Sequence, residues 1–189
     1  MEFDLIIRAQ HVITDIGDRP AAVCVKNRKI VKIVGFADVL SADTDITLSG
    51  ALIPGLVDSH VHINEPGRTQ WEGFESATKA AAAGGITTVI DMPLNSIPPT
   101  VNVAALAVKK AAATGKCSVD VGFWGGSIPG NVADLEPLLN EGVFGFKCFL
   151  LHSGVDEFPA STLDDLSAAL EVLAKNNALM VVHAEDSIA

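Results

Sequence analysis

Basic residues are scarce in this chain of 189: 13 Lys and Arg stand against 23 Asp and Glu, giving a formal net charge of −10. Nucleic acids are bound through clustered cations that neutralise phosphates. That class of partner is therefore excluded, and a small neutral or cationic one is favoured. Cysteine is scarce as well. Cys24, Cys117 and Cys148 are odd in number and include no C-x-x-C pair, which suits free thiols in a reducing compartment. No uninterrupted apolar run approaches the roughly 18 residues that a membrane span needs. The N-terminal MEFDLIIRAQ is acidic and lacks the basic flank and apolar stretch of a secretion signal. The expectation is a cytoplasmic protein with no membrane partner.

Two patterns of hydrophobicity divide the chain. Residues 2–53 read as short strands, FDLIIRA, HVITD, AAVCVKN, KIVKIVG and ITLSGALI, separated by Gly, Pro, Asp and Asn. From residue 53 onward, apolar β-branched runs alternate with Ala-rich helical segments at about 72–83, 101–114, 131–141 and 162–176. The runs IPGLVDSHVHI, ITTVIDM, VDVGFWGG, VFGFKCFL and ALMVVHAED begin near 53, 86, 119, 143 and 178, a repeat suited to β-α-β units. Strands that are apolar throughout expect cover on both faces, as in a parallel sheet. No G-x-G-x-x-G opens a helix after the first of them, and polar residues close strand after strand: His60 and His62, Asp91, Lys147, His183 and Glu185. Polar groups converging at the carboxyl ends of several strands favour a barrel over a doubly wound sheet. A complete barrel takes eight βα units and about 250 residues, whereas four units and a fifth strand are present. The expected fold is α/β: residues 53–189 form the first half of a (β/α)8 barrel, preceded by part of a small β-domain at 1–52.

The chemistry rests on few residues. His60 and His62 are two apart, so in a strand they project to one face and could supply half of a tetrahedral metal site. A bare H-x-H is equally compatible with histidines that hydrogen-bond in a core. His183 ends its strand in the equivalent place, which strengthens the metal reading. Lys147 lies inside VFGFKCFLL, where an unpaired ammonium is costly. A neutral buried amine can add carbon dioxide to become a carbamate, an anion able to bridge two cations; a lysine snorkelling from a strand end is the alternative. Asp91 reads more readily as a cap of the turn after its strand than as a site residue. Trp71 reads as packing at the start of a helix, and Glu65 and Arg68 as a salt bridge fixing the turn at Pro66 and Gly67.

With these residues in view, the chain resembles the cyclic amidohydrolases of the amidohydrolase superfamily, and among them most closely the allantoinase family. The resemblance is carried by PGLVDSHVHINEPGRTQWEGF (54–74), TKAAAAGGITTVIDMPLNSIPPT (78–100), VDVGFWGG (119–126), GFKCFLLHSGVDEFP (145–159) and VVHAED (181–186). H-x-H marks only the superfamily; MPLNSIPPT, GFWGG and SGVDEFP mark the allantoinase family. The resemblance implies a metal-dependent (β/α)8 TIM barrel, a β-sandwich whose first part lies at 1–52, and a binuclear centre. The metals are usually zinc, with cobalt or manganese as alternatives. His60 and His62 would hold the buried metal, an N6-carboxylated Lys147 would bridge both, and His183 would bind the exposed one. A further histidine on strand six and a shuttle aspartate on strand eight are also implied. Neither falls within 1–189, so no catalytic acid or base is assigned here, and the chain is expected to be an N-terminal fragment, inactive alone. The implied reaction is hydrolysis of the cyclic amide of allantoin to allantoate, with a homo-oligomer, tetrameric when full length, as the assembly.

Neighbouring families give internal tests. Dihydroorotases carry His-x-His-x-Arg, and Asn64 stands where that arginine would be. Hydantoinases and dihydropyrimidinases carry a tyrosine five residues after the bridging lysine, whereas this chain has no tyrosine and His152 stands at that offset. Asn95 and His152 are the candidate substrate contacts. A non-catalytic dihydropyrimidinase-like assembly protein would typically have lost metal ligands, and every ligand position within this span is filled.

Overall fold

The computed structural model describes residues 2–185. The chain divides into two compact units, Met1–Pro54 and Gly55–Ala189.

The first unit is a four-stranded sheet. β1 (Phe3–Thr14) pairs antiparallel with β2 (Gly17–Lys26) and parallel with β4 (Ala42–Thr47), and β3 (Lys29–Gly35) flanks β2. FDLIIRA and HVITD, expected as two strands, are one, with the irregularity absorbed by a register shift between Ala9 and Val12. Asn27 and Arg28, both at positive φ, make the two-residue turn between β2 and β3, the backbone twist that suits tight hairpins. β4 lies earlier than the expected ITLSGALI. The polar ADTDIT is held as a strand by its parallel ladder to β1, and Leu52 makes only an isolated bridge to Val12. Phe3, Ile6, Ala22 and Cys24 form one buried cluster, and Ala9, Val12, Ala21 and Val23 another.

The second unit alternates strands and helices: β5 (Leu56–Val61), α1 (Phe74–Ala83), β6 (Ile86–Asp91), α2 (Val103–Ala113), β7 (Asp120–Phe123), β8 (Gly125–Gly126), α3 (Val132–Asn140), β9 (Phe146–Phe149), α4 (Leu163–Lys175) and β10 (Met180–His183). Every pairing is parallel, in the orders β5-β6-β7 and β8-β9-β10. β7 and β8 are one chain path broken only at Trp124. Phe144 N–H donates to Phe123 O at 3.0 Å, and Gly125 N–H to Gly145 O at 2.8 Å. Strands therefore follow one another in chain order.

Local signals place the helices. Asn102 accepts a hydrogen bond from Ala105 N at the start of α2, and Thr162 with Asp165 forms a capping box at α4. The start of α1 is capped from outside, by the Glu65 carboxylate on Phe74 N at 2.9 Å. Phe74, Leu106, Leu135, Leu138, Ala169 and Leu173 from the four helices join Val89, Phe123 and Phe146 in the larger core. A second cluster, Ile90, Met92, Leu94, Trp124, Phe149 and Phe158, contains no helix residue. It lies on the opposite face of the strands, where the site residues are. No described helix is long and apolar enough to cross a membrane.

Candidate active site

His60 lies near the end of β5 and His62 just beyond it. Their ring centroids are 5.5 Å apart with planes tilted by 51°, so the i and i+2 spacing does bring the rings together. The Asp58 carboxylate accepts from His60 N at 3.1 Å and so orders the strand end locally. Asn95, in the left-handed region at φ 73°, an arrangement asparagine tolerates better than most residues, places Nδ2 3.4 Å from His62 Nδ1. Part of the His62 ring is open to solvent, yet the surrounding protein removes enough water to disfavour its cation. Repulsion from His60, Lys109 and Lys147 adds to this, and the pKa falls from 6.5 to about 4. The imidazole is thus neutral at pH 7, the form in which histidine ligates a metal.

Lys147 and His183 make a second pair, organised by Phe149. In the β9–β10 ladder Lys147 lies opposite Val181 and Phe149 opposite His183. His183 stacks on the Phe149 ring at 4.8 Å with 14° between planes, and Lys147 Nζ lies 4.8 Å from the same ring centroid. Lys147 is 6% exposed, and among the described residues no carboxylate pairs with it. Burial lowers its pKa, with Cys148 opposing weakly. His183 Nε2 is 3.0 Å from Glu185 Oε1. Among the described residues no group of three or more His, Cys, Asp and Glu is gathered as a metal cage. The arrangement is two pairs, linked by the field that Lys147 exerts on His62.

A profile of the amidohydrolase family matches residues 51–189. The chain belongs to the amidohydrolase family. It is 51% identical over 187 residues to an allantoinase of Streptomyces avermitilis, an alignment that covers 98% of this chain and 42% of that protein. An allantoinase of Saccharomyces cerevisiae is 47% identical over 190 residues, covering 95% and 41% respectively. Among solved structures, an L-hydantoinase (dihydropyrimidinase) from Arthrobacter aurescens matches with a TM-score of 0.90 at 32% identity, covering 98% of this chain and 42% of that one. The chain thus spans about two-fifths of the length of these relatives.

In this amidohydrolase the polar residues around the two pairs do different work from that expected. Asp91 does not cap the turn after β6. It lies opposite Val61 in the β5–β6 ladder, fully buried, and its carboxylate accepts from Ile63 N at 2.6 Å and from Lys109 Nζ at 2.7 Å. Burial pushes its pKa up, against the pull of Lys109 and of the Ile63 and Met92 amides. Glu65 and Arg68 do not pair with each other: Glu65 takes Lys116 as well as the α1 N-terminus, and Arg68 reaches Glu157 at 2.5 Å and Asn95 O at 2.8 Å. Trp71 is 58% exposed instead of packed, with the Arg68 guanidinium 5.0 Å from its ring. His152 is exposed on the loop after β9, its Nδ1 accepting from Gly154 N at 3.1 Å. It is not brought to the histidines.

Two residues went unnoticed in the sequence. Lys109 is 1% exposed within α2; it follows Ala105 and Leu106 by four and three positions, so helical periodicity alone puts it on their buried face. Trp124 bridges strands by donating Nε1–H to Ser59 O at 2.9 Å, and its own amide donates to Asp91 O at 2.9 Å. Nothing in GFWGG signals those particular partners.

Proposed function

We propose that this chain is the first part of an allantoinase, an enzyme that opens the hydantoin ring of allantoin to give allantoate, and that residues 55–189 are the first half of its (β/α)8 barrel. The observation that carries the reading is Lys147, buried beside Phe149 with no anion paired to it among the described residues, on the same side of the strands as the two imidazoles and His183. The allantoinase relatives at 51% and 47% identity support the substrate class. The four-stranded sheet of residues 1–54 is read as part of a β-sandwich.

The donor set suits two divalent ions. His60 and His62 are adjacent, and His62 is neutral at pH 7. Lys147 has its pKa depressed by burial, which favours the free amine that reacts with carbon dioxide, and the resulting carbamate replaces an uncompensated cation with a bidentate anion. In this reading His60 and His62 would hold one ion, a carboxylated Lys147 would be shared by the two, and His183, now beside Glu185, would hold the second. The chemistry supplied by bound zinc, or by cobalt or manganese in its place, is acidification of a water and polarisation of the ring carbonyl. The chain's own part is positional. Asn95 orients the substrate beside His62, and the Phe149 ring keeps His183 and Lys147 in one layer. Ring opening would join the water oxygen to the amide carbon as the ring C–N bond breaks, and the aspartate that the family resemblance assigns to strand eight would take the proton released by the water and pass it to the departing nitrogen.

Substrate profiling of the protein carrying this chain through its whole reading frame tests the proposal. Allantoin is expected to be opened faster than dihydroorotate, whose carboxylate lacks an arginine at position 64, and faster than dihydrouracil or hydantoin. Preference for dihydroorotate or dihydrouracil would overturn the assignment.

A further inference from the structure

The Asp91–Lys109 pair takes no part in the chemistry above, yet it is the most deeply buried ion pair among the described residues, at 0% and 1% side-chain exposure. We propose that Asp91 and Lys109 are a positioning pair: they fix the backbone just beyond β5 and thereby set the geometry of the His60 and His62 imidazoles. The inference rests on reading those histidines as metal ligands.

The geometry is specific. Asp91 ends β6 directly opposite Val61, the residue between the two histidines. Paired residues leave a sheet on the same face, so the Asp91 side chain departs with Val61, away from His60 and His62 and toward α2. There Lys109 Nζ meets Oδ2 at 2.7 Å and also donates to Met92 O at 2.9 Å. The other carboxylate oxygen takes Ile63 N–H at 2.6 Å, and Met92 N–H donates to Val61 O at 2.8 Å. The segment from Val61 to Ile63 is therefore held at both ends by β6, with His62 between the two anchors. Trp124 adds two further ties, from its amide to Asp91 O and from its indole to Ser59 O.

Stability alone is a poor reason for such a pair. Desolvating two charges offsets most of their attraction, and apolar replacement of a buried pair is often neutral or stabilising. What apolar side chains cannot reproduce is an acceptor for Ile63 N–H at that point. Residues that orient ligands from behind typically change metal affinity by about 10- to 100-fold when removed.

The test compares the wild-type protein with Asp91→Asn, which keeps an acceptor but drops the charge, and with the double variant Asp91→Leu/Lys109→Met, which removes both. Zinc affinity is measured by competition with a chromophoric chelator, cobalt coordination by visible absorption, and the Ile63 amide and histidine ring resonances of the metal-free protein by NMR. The expected result for the double variant is cooperative melting close to wild type, zinc binding weakened by about 10- to 100-fold, an altered cobalt band and displaced His60 and His62 resonances. Asp91→Asn should fall between the two. A folded double variant with wild-type zinc affinity and an unchanged cobalt band overturns the proposal. If the wild type takes up no metal, the functional reading fails on its own; unmoved His60 and His62 resonances in the metal-free double variant then overturn the positioning role as well. Should the double variant not fold, Asp91→Asn with wild-type affinity and resonances has the same force.

Discussion

A depressed pKa at His62 has a measurable signature. The imidazole is neutral because crowding withdraws water and because His60, Lys109 and Lys147 repel a further positive charge. The unfolded chain therefore binds more protons than the folded one between about pH 4 and 6.5. The associated stability is fully present above 6.5 and is lost as pH falls towards 4. In an NMR titration of the metal-free protein the His62 ring is expected to change its chemical shifts with a midpoint at about pH 4. A midpoint near the ordinary histidine value of about 6.5 would show that the ring is not so enclosed. At Lys147 the expected effect is on catalysis. Lys147→Ala removes the proposed carbamate and should lower turnover by more than the about 10- to 100-fold typical of residues behind the ligands. Added short-chain carboxylic acids should restore part of it, because a carboxylate supplies two oxygens where the carbamate stood. A Lys147→Ala variant with wild-type turnover would remove Lys147 from the site. His62 and Lys147 stand out in the sequence as polar residues beside or within apolar strands. Periodicity places Lys109 on the face of Ala105 and Leu106, but its partner was not legible, since Asp91 is brought to it only by the β6–α2 crossover.

Turns and strand ends carry the next layer. Gly145 has φ 155°, and a Cβ there would come within 2.7 Å of Leu179 O and 2.8 Å of the Trp124 ring. Gly145→Ala is expected to cost about 1–3 kcal/mol through the backbone alone, more with the overlap, as read by urea denaturation; a variant as stable as wild type would refute the close approach. The loops after β5, β6 and β9 meet at Arg68, which reaches Asn95 O and Glu157. The Arg68 hydrogen bond holds Glu157 below the usual carboxylate range. The contact is therefore complete above the ordinary Glu pKa of about 4.3, and it is lost as pH falls through the lower folded value. Trp71 beside Arg68 is exposed whereas Trp124 is buried, so acrylamide quenching separates them. Quenching of the exposed tryptophan should change in the wild type only as the pH falls below the ordinary Glu range, and should already show the released value at pH 7 in Glu157→Gln. Identical quenching profiles would dissociate the ion pair from loop order. Helix positions were legible to within a few residues from periodicity and caps, as at α3, expected over 131–141 and found at Val132–Asn140. β4 was misplaced because its strand character comes from pairing with β1 and not from its own polar sequence.

Across the whole molecule, chain order equals strand order in the second unit, and the proposed ligands all come from strand ends on one side of it. That is why the parallel α/β character could be read from spacing alone. The candidate ligands were picked out for a related reason, since sites gather at the carboxyl ends of parallel strands. What sequence could not supply is the division of the site into two pairs, His60 with His62 and Lys147 with His183, because Phe149 organises the second through ring contacts. The central claim is that these pairs close around divalent metal to open a cyclic amide. The most direct measurement is allantoate production by the protein carrying this chain, before chelation, after exhaustive removal of metal, and after return of zinc, cobalt or manganese. Activity is expected to disappear on chelation and to return with each of these ions, and no ion is expected to restore it in His60→Ala/His62→Ala. Ring opening that persists in the metal-free protein, or in that double variant, would contradict the claim.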